Sequence, residues 1–224
     1  MSRRSADPGA PRRKARPAAN ARQLFAAEAA YGESIFRLGI GDVRGSIEAL
    51  RRSHAALPTY APAILSLGSV AYQRRRLAEG RRLFLSLLSL PDDTPDLTEI
   101  IDEAGDFLIQ AGRYAEGLDL FRRAAERFPR GAVFHQGIGC CAGHLDLHED
   151  AIAASRAALD LEPENQKFVS DLGWTLYKAG RTDEAERVLE RAVAMDPTDE
   201  RAAGNLRVCR SSCEAGSASR SETP

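Results

Sequence analysis

The chain has 224 residues, 43% of them hydrophobic, which is enough to bury a substantial core in one or two domains and argues against disorder throughout. Its 31 Lys and Arg residues nearly balance its 32 Asp and Glu residues, and the net charge of -1 argues against a dedicated nucleic-acid-binding protein. We find neither the apolar core of a signal peptide nor a run of about 18 apolar residues that could span a bilayer, so we expect a cytoplasmic protein without a transmembrane segment. The four cysteines resemble neither a disulfide framework nor a zinc site, which fits a reducing compartment.

The two ends of the chain differ in composition from the rest. Residues 1–20 are rich in Arg, Pro, Ala and Gly without a hydrophobic period, so we predict a disordered basic tail. The run PRRKARP at 11–17 could bind RNA, DNA or an anionic membrane, or could serve as an address signal. The same tail could be a transit peptide, although its prolines interrupt the amphipathic helix that such peptides form. Residues 215–224 are small and polar, and we predict a second disordered tail there.

Between the tails the sequence repeats with a period of 34 residues, marked by recurring Leu-Gly pairs and prolines. The repeat units that these landmarks define are 27–60, 61–94, 98–131, 132–165 and 166–199. Their starts are spaced by 34, 37, 34 and 34 residues, because residues 95–97 are inserted between the second and third units in a predicted loop.

The last unit shows what one repeat is expected to form. Two amphipathic segments, Phe168 to Ala179 and Thr182 to Met195, are separated by Gly180 and followed by Pro197, which predicts two helices joined by a tight turn. Helices of roughly 12 to 14 residues are marginal when alone in water, so we expect the units to stack and bury their apolar faces against each other.

These units resemble the tetratricopeptide repeat, whose pattern has small residues at unit positions 8, 20 and 27, a large apolar residue at 24 and proline at 32. The last unit has Gly173, Ala185, Leu189, Ala192 and Pro197 at these places, and the third has Gly105, Gly117, Phe121, Ala124 and Pro129. The fourth unit has Gly139, Ala151, Ala158 and Pro163, but Ser155 where the large residue belongs. Small residues are needed where paired helices cross, since bulky ones would hold the axes apart.

The first two units match this pattern less well. Unit two has Gly68, Gly80 and Phe84, but Leu87 at position 27 and Pro91 one place early. Unit one has Ser34, Ser46, Leu50, Ser53 and Pro58 but lacks the Leu-Gly pair. After the last unit, Ala202, Leu206, Cys209 and Cys213 recur at helical spacing and predict a capping helix at 200–213. The resemblance therefore implies an all-α, right-handed superhelical solenoid of about five helix-turn-helix units plus a C-terminal capping helix.

The resemblance also implies a concave groove lined by the first helix of each unit, with positions 2, 5, 9, 12 and 13 facing it. The partner-binding candidates carried over in this way are Ser69, Tyr72, Glu99, Asp102, Asp106, Gln110, Gln136, Lys167, Ser170, Trp174 and Tyr177. Of these, Asp102, Asp106 and Trp174 are the preferred contact residues. Trp174 is the only tryptophan and is predicted to contact a partner, whereas its neighbour Tyr177 is predicted to pack between units.

Charge along this groove suggests the chemistry of the partner. Glu99, Asp102 and Asp106 stand at i, i+3 and i+7 and share one helix face, which favours a basic or amine-bearing partner, although a merely solvated face is an equal alternative. Tetratricopeptide domains that hold acidic chaperone tails use basic groove residues, which here are confined to Lys167 and Lys178 in unit five. We therefore disfavour such a ligand.

Metal binding and catalysis are the other chemistries that we considered. Cys140, His144 and His148 are spaced by four residues, as metal ligands on a helix could be, but the repeat register places His148 in the turn or on the next helix. No phosphate loop, nucleophile elbow or HExxH motif occurs in the sequence. We expect no catalytic residues, no metal and no cofactor.

The sequence thus favours a non-catalytic scaffold or adaptor that binds a partner protein segment in the groove. A chaperone-like factor for a secreted or assembling client is an alternative, as is an array tethered to nucleic acid or membrane by residues 1–20. Self-association through an imperfect cap remains open as well.

Overall fold

In this computed structural model, the structure describes residues 18–221, with side chains for residues 21–212. The described residues form eleven helices and contain no strand, which confirms the all-α prediction. The helices are α1 (Ala18–Gly39), α2 (Val43–Ala56), α3 (Ala61–Gln73), α4 (Leu77–Leu87), α5 (Leu97–Gln110), α6 (Tyr114–Arg127), α7 (Ala132–His144), α8 (His148–Leu161), α9 (Gln166–Lys178), α10 (Thr182–Met195) and α11 (Glu200–Ser221). None of these described helices is both long enough and apolar enough to cross a membrane.

The helix bounds differ from the predicted segments at three places. The first three residues of α1 belong to the predicted tail at 1–20, whose remaining residues lie outside the described part of the chain. Leu97, assigned to the inserted loop, is instead the buried first residue of α5. Helix α11 extends past the predicted end of the cap at 213 and runs through much of 215–224, the predicted second tail.

The turns inside the helix pairs share one backbone feature in every unit. Position 15 has a positive φ in all five units: 83° at Gly41, 59° at Arg75, 67° at Gly112, 57° at Asp146 and 76° at Gly180. Glycine adopts this left-handed conformation at little cost, whereas Arg75 and Asp146 are held in it by the helices on either side. These five residues are spaced by 34, 37, 34 and 34 residues, like the predicted unit starts.

The chain divides into two compact units, one ending at Ala63 and the other starting at Ile64. In the first unit, α1 and α2 form an antiparallel pair joined by a buried hydrogen bond of 2.7 Å from the Ser53 hydroxyl to the Ala27 carbonyl. Glu33 on α1 also accepts hydrogen bonds of 2.7 Å from both Arg37 and Arg52. Several large apolar side chains of α1 are nevertheless exposed, namely Leu24, Phe25, Ile35, Phe36 and Leu38, and so is Ile40 in the turn after it.

In the second unit, helices from α5 to α11 pack against their neighbours in chain order, as expected for a helical tetratricopeptide-type solenoid. The first helices of successive pairs also contact each other, α5 with α7, α7 with α9, and α9 with α11. We call the surface formed by these four helices the first-helix face. Its side chains come from helices that are far apart in sequence but adjacent in space.

Close packing between the pairs depends on glycine. The buried ring of Phe121 on α6 lies against two first helices at once, since a Cβ atom would be 2.1 Å from this ring at Gly105 and 2.5 Å from it at Gly137. A side chain at either glycine would collide with the ring, so glycine is required both at pattern position 8, as Gly105, and at position 6 of the next unit, as Gly137.

The loop between α4 and α5, which includes the inserted residues, is held by one arginine. Arg127, at the end of α6, donates hydrogen bonds to the carbonyl oxygens of Leu88 at 2.7 Å and Leu90 at 2.5 Å, and to the carboxylate of Asp92. Asp96, just before α5, has a left-handed backbone with a φ of 52°. The loop is therefore anchored to the repeat that follows it.

Candidate functional site

The acidic residues predicted on α5 lie on the first-helix face close to one another. Asp106 and Glu99 are exposed, whereas Asp102 between them is only partly exposed. Burial raises the pKa of Asp102 to about 6, and the negative charges of Asp106 and Glu99 add to this rise while Lys167 on α9 opposes it. Glu99 differs because its own backbone amide and the hydroxyl of Thr98 lower its pKa. The nearby positive charge of Lys167 is thus too weak to offset the effects of burial and of the two other carboxylates on Asp102.

A polar network crosses the face from α7 to α11. The side-chain amide of Gln136 on α7 donates a 3.1 Å hydrogen bond to one carboxylate oxygen of Asp171 on α9. Arg201 on α11 forms an ion pair of 3.1 Å with the other oxygen. Both carboxylate oxygens of Asp171 therefore have a partner within the protein, and its negative charge is already paired with the positive charge of Arg201.

Asp171 and Arg201 were missed by the sequence analysis. Asp171 occupies unit position 6, next to the predicted groove position of Ser170. Arg201 would stand at groove position 2 if the 34-residue register were continued to a sixth unit starting at Glu200. Because α11 was predicted to be a capping helix rather than the first helix of a sixth unit, Arg201 was not predicted to face the groove.

A depression of about 410 Å³ opens on this face between α7 and α9. Its walls include Gly139 and Cys140 from α7 and Trp174 and Thr175 from α9, and the buried hydroxyl side chain of Ser155 from α8 lies at its inner end. Burial raises the pKa of the Cys140 thiol, and the charges of nearby carboxylates act in the same direction. The thiol is accordingly held in its neutral form.

The two aromatic residues of α9 are placed differently. Trp174 is 37% exposed at the depression, with its ring centroid 5.2 Å from that of Tyr177. Tyr177 is half-buried against the core of the last pairs, and its hydroxyl shares a 2.8 Å hydrogen bond with that of Ser212. The ring of Trp174 is therefore accessible at the surface, whereas Tyr177 packs against the core and links α9 to α11 through its hydroxyl group.

Two of the other predicted contact residues are core residues in the structure. Tyr72 is 6% exposed and packs between Phe84 and Phe107, with ring centroids at 5.4 and 5.8 Å, and its hydroxyl donates to the carboxylate of Glu116. Ser170 is fully buried, and its hydroxyl has no hydrogen-bond partner among the residues that the structure describes. Neither side chain is accessible to a partner, so both are left out of the candidate site.

The remaining predicted residues are accessible but are not all gathered at one point. Gln110 and Lys167 are exposed on α5 and α9, and Gln136 is partly exposed beside Asp171. Ser69 on α3 is partly exposed, and its hydroxyl donates a 3.1 Å hydrogen bond to the Leu65 carbonyl within its own helix. The structure thus concentrates the accessible candidates on α5, α7 and α9.

The residues of the metal hypothesis are divided between two helices. Cys140 and His144 both line the depression from α7, whereas His148 begins α8, as the repeat register predicts. The His144 ring stacks on Tyr114, with centroids 4.1 Å apart and planes 4° from parallel. His144 is therefore oriented by an aromatic neighbour.

Comparison with known proteins gives matches to the tetratricopeptide repeat. Two family models, both described as tetratricopeptide repeat, match residues 103–166 and 147–207. The small glutamine-rich tetratricopeptide repeat-containing protein 2 of Mycosarcoma maydis is 26% identical over 102 residues, which are 46% of this chain and 29% of that protein. The STIP1 homolog of Dictyostelium discoideum is 30% identical over 87 residues, which are 39% of this chain and 15% of that protein. The chain thus spans less than a third of either curated relative.

Among solved structures, MamA from Desulfovibrio magneticus RS-1, comprising its residues from 41 to the end, has a similar fold. The TM-score is 0.56 at 16% identity, and the match covers 78% of this chain and 97% of that one. At this level of identity the likeness concerns the fold alone.

Proposed function

Because this chain belongs to the tetratricopeptide repeat family, we propose that it is a non-catalytic scaffold that binds a segment of a partner protein on its first-helix face. The observation that carries this proposal is the placement of Asp102 and Asp106 on α5 and of Trp174 on α9, the two first helices that flank α7, where these side chains remain accessible. Exposed aromatic side chains beside charged groups are typical anchors of protein interfaces.

The charge distribution favours a partner segment with a basic or amine-bearing group near α5. Asp102 is partly buried beside two other carboxylates and is opposed only in part by Lys167. A cationic partner group would relieve this repulsion, since it favours the ionised form of Asp102. Arg201 on α11, by contrast, is already paired with Asp171. Its positive charge is therefore less available to an acidic ligand.

The test is affinity purification with a variant that combines Trp174→Ala, Asp102→Lys and Asp106→Lys. The matched control combines Glu126→Lys and Asp160→Lys, which make the same charge changes at exposed positions on the second helices α6 and α8. Both variants should keep the helicity of the wild type by circular dichroism.

We expect partner proteins to be recovered with the wild type and the control but not with the triple variant. Recovery of the same partners with all three proteins would contradict the proposal and direct attention to the opposite face or to the N-terminal tail.

A second candidate, a chaperone-like factor that shields a client, is supported by the exposed apolar side chains of α1, of which Phe25 is 73% and Phe36 67% exposed. Contiguous exposed apolar surface is a feature of interaction sites. The two candidates differ in one observable respect, because a chaperone-like role requires the client to be unstable when this protein is absent.

A further inference from the structure

The fourth helix pair departs from the other pairs at one buried position. Unit position 24 holds Leu50, Phe84, Phe121 and Leu189 in the other four units, but Ser155 in this one. All five side chains at this position are buried, so the serine replaces core volume rather than a surface group.

In the neighbouring pairs, the large residue at position 24 fills the space in front of a glycine at position 8. A Cβ atom would lie 2.3 Å from Phe84 at Gly68, 2.1 Å from Phe121 at Gly105 and 2.6 Å from Leu189 at Gly173. At each of these points the large side chain therefore packs directly against the glycine of the other helix.

The fourth pair keeps the glycine but lacks the large residue. A Cβ atom at Gly139 would lie 2.7 Å from the hydroxyl oxygen of Ser155 and 3.4 Å from the Ala151 carbonyl oxygen, so α7 and α8 approach closely here although the large side chain is missing. The same two residues line the depression between α7 and α9. Because Ser155 has no large side chain to cover this point, the depression reaches both residues from the first-helix face, and we call it the Ser155 pocket.

The inner lining of the Ser155 pocket is small and uncharged. Gly139, Gly143 and the neutral thiol of Cys140 come from α7, and the hydroxyl of Thr175 is already donated to the Asp171 carbonyl at 2.8 Å. Of the charged lining residues, Asp146, Lys178 and Arg201 are exposed, and the partly buried Asp171 is already paired with Gln136 and Arg201. A charged ligand group would therefore lose its hydration at the inner end without meeting an opposite charge there.

One wall of the pocket is suited to an aromatic ligand. Trp174 is exposed beside the opening, and rings pack favourably against each other in offset or edge-to-face arrangements. The volume of about 410 Å³ lies in the range of sites that bury a small ligand or a large side chain.

We propose that the Ser155 pocket receives one uncharged aromatic side chain, phenylalanine or tyrosine, of the partner segment bound on the first-helix face. This inference rests on the proposed scaffold function and adds a specificity element to it. The ligand ring takes the place of the large residue that the fourth unit lacks, and Trp174 packs against it.

The pocket is tested directly with side-chain analogues added to the full chain. Toluene and p-cresol represent phenylalanine and tyrosine, and n-butylammonium represents lysine. Since Trp174 is the only tryptophan, its indole N–H gives a unique signal in proton–nitrogen NMR spectra. We expect saturable shifts of this signal and of the Gly139 and Thr175 amides with toluene or p-cresol, and none with n-butylammonium.

Filling the pocket provides the matched comparison. Ser155→Phe and Ser155→Leu introduce the residue types found at this position in the other units, whereas Ala153→Phe adds the same ring at an exposed position of α8. The saturable shifts should disappear in both Ser155 variants and persist in Ala153→Phe. Because two fillers of different size are used, a folding defect in one leaves the other informative.

The same variants distinguish a failure of the pocket proposal from a failure of the proposed scaffold function. Filling the pocket should weaken partner capture by roughly 10-fold to 30-fold, the range for loss of an aromatic anchor. Three outcomes would overturn the pocket: preferential binding of n-butylammonium, shifts that persist in both Ser155 variants, or no saturable shift in the wild type. If the triple variant still loses its partners in those cases, the scaffold function stands without the pocket.

Discussion

Replacing Asp102 by asparagine should stabilise the protein at pH 8, because the ionised carboxylate is unfavourable in the fold. Burial and the charges of Asp106 and Glu99 raise its pKa from the ordinary 3.8 to about 6. A pKa difference of one corresponds to about 1.4 kcal/mol, so the rise corresponds to at most about 3 kcal/mol of lost stability when Asp102 is ionised. Asparagine keeps the size of the side chain and removes the charge.

The sign of the pH dependence follows from the direction of this rise. A group whose pKa is higher in the folded than in the unfolded state favours folding at low pH, and that contribution is lost as the pH rises through the folded value. The wild type should therefore lose stability relative to Asp102→Asn between about pH 4 and pH 7. As the pH falls below the ordinary value of 3.8, the carboxyl becomes protonated in both states and this difference should vanish.

Urea unfolding followed by circular dichroism at pH 8, 6.5, 5 and 4 measures this difference. Allowing for the partial exposure of Asp102, we expect Asp102→Asn to be about 1 to 3 kcal/mol more stable at pH 8. Asp160→Asn, an exposed aspartate on α8, is the matched control and should show little change. A variant that is less stable than the wild type at pH 8, or a difference that does not depend on pH, would refute the reasoning.

Two further predictions concern packing and the inserted loop. Gly137→Ala should cost about 1 to 3 kcal/mol in the free energy of unfolding, because its Cβ would lie 2.5 Å from the Phe121 ring, whereas Gly143→Ala, with no atom within 4 Å, should be neutral or stabilising by up to about 1 kcal/mol. Equal effects of the two changes in a urea titration would contradict the packing argument. Arg127→Ala removes the hydrogen bonds to the loop carbonyls and should speed amide hydrogen exchange across 88–97, measured by mass spectrometry, while the protection of the other helices is retained. Unchanged exchange in the loop would show that Arg127 does not anchor it.

Much of the fold could be predicted because its signals are local and repeated. Helix ends are marked by residues such as Gly112 and Gly180, which favour the left-handed backbone at the turn. Small residues such as Gly105 recur at the interval at which helices cross, so one 34-residue pattern predicts the same pair several times over. The register holds even at Arg75 and Asp146, where the turn residue is not glycine.

The candidate site could be predicted only in part, because accessibility depends on contacts between helices. The register places Ser170 and Trp174 on the same side of α9, yet the structure buries the first and exposes the second. Asp171 and Arg201 stand thirty residues apart in sequence and meet because α9 and α11 pack against each other. No local pattern carries that information.

The sequence by itself determined the helix pairs, their order and the departure at Ser155, since these depend on side-chain size and backbone preference within one repeat. Only the tertiary structure decided what that departure means. A serine in place of a large residue could have been compensated by a neighbouring side chain, but α7 and α9 instead leave an opening beside Trp174. The volume between helices is set by how their surfaces interlock, and that is a property of the packed array rather than of any single unit.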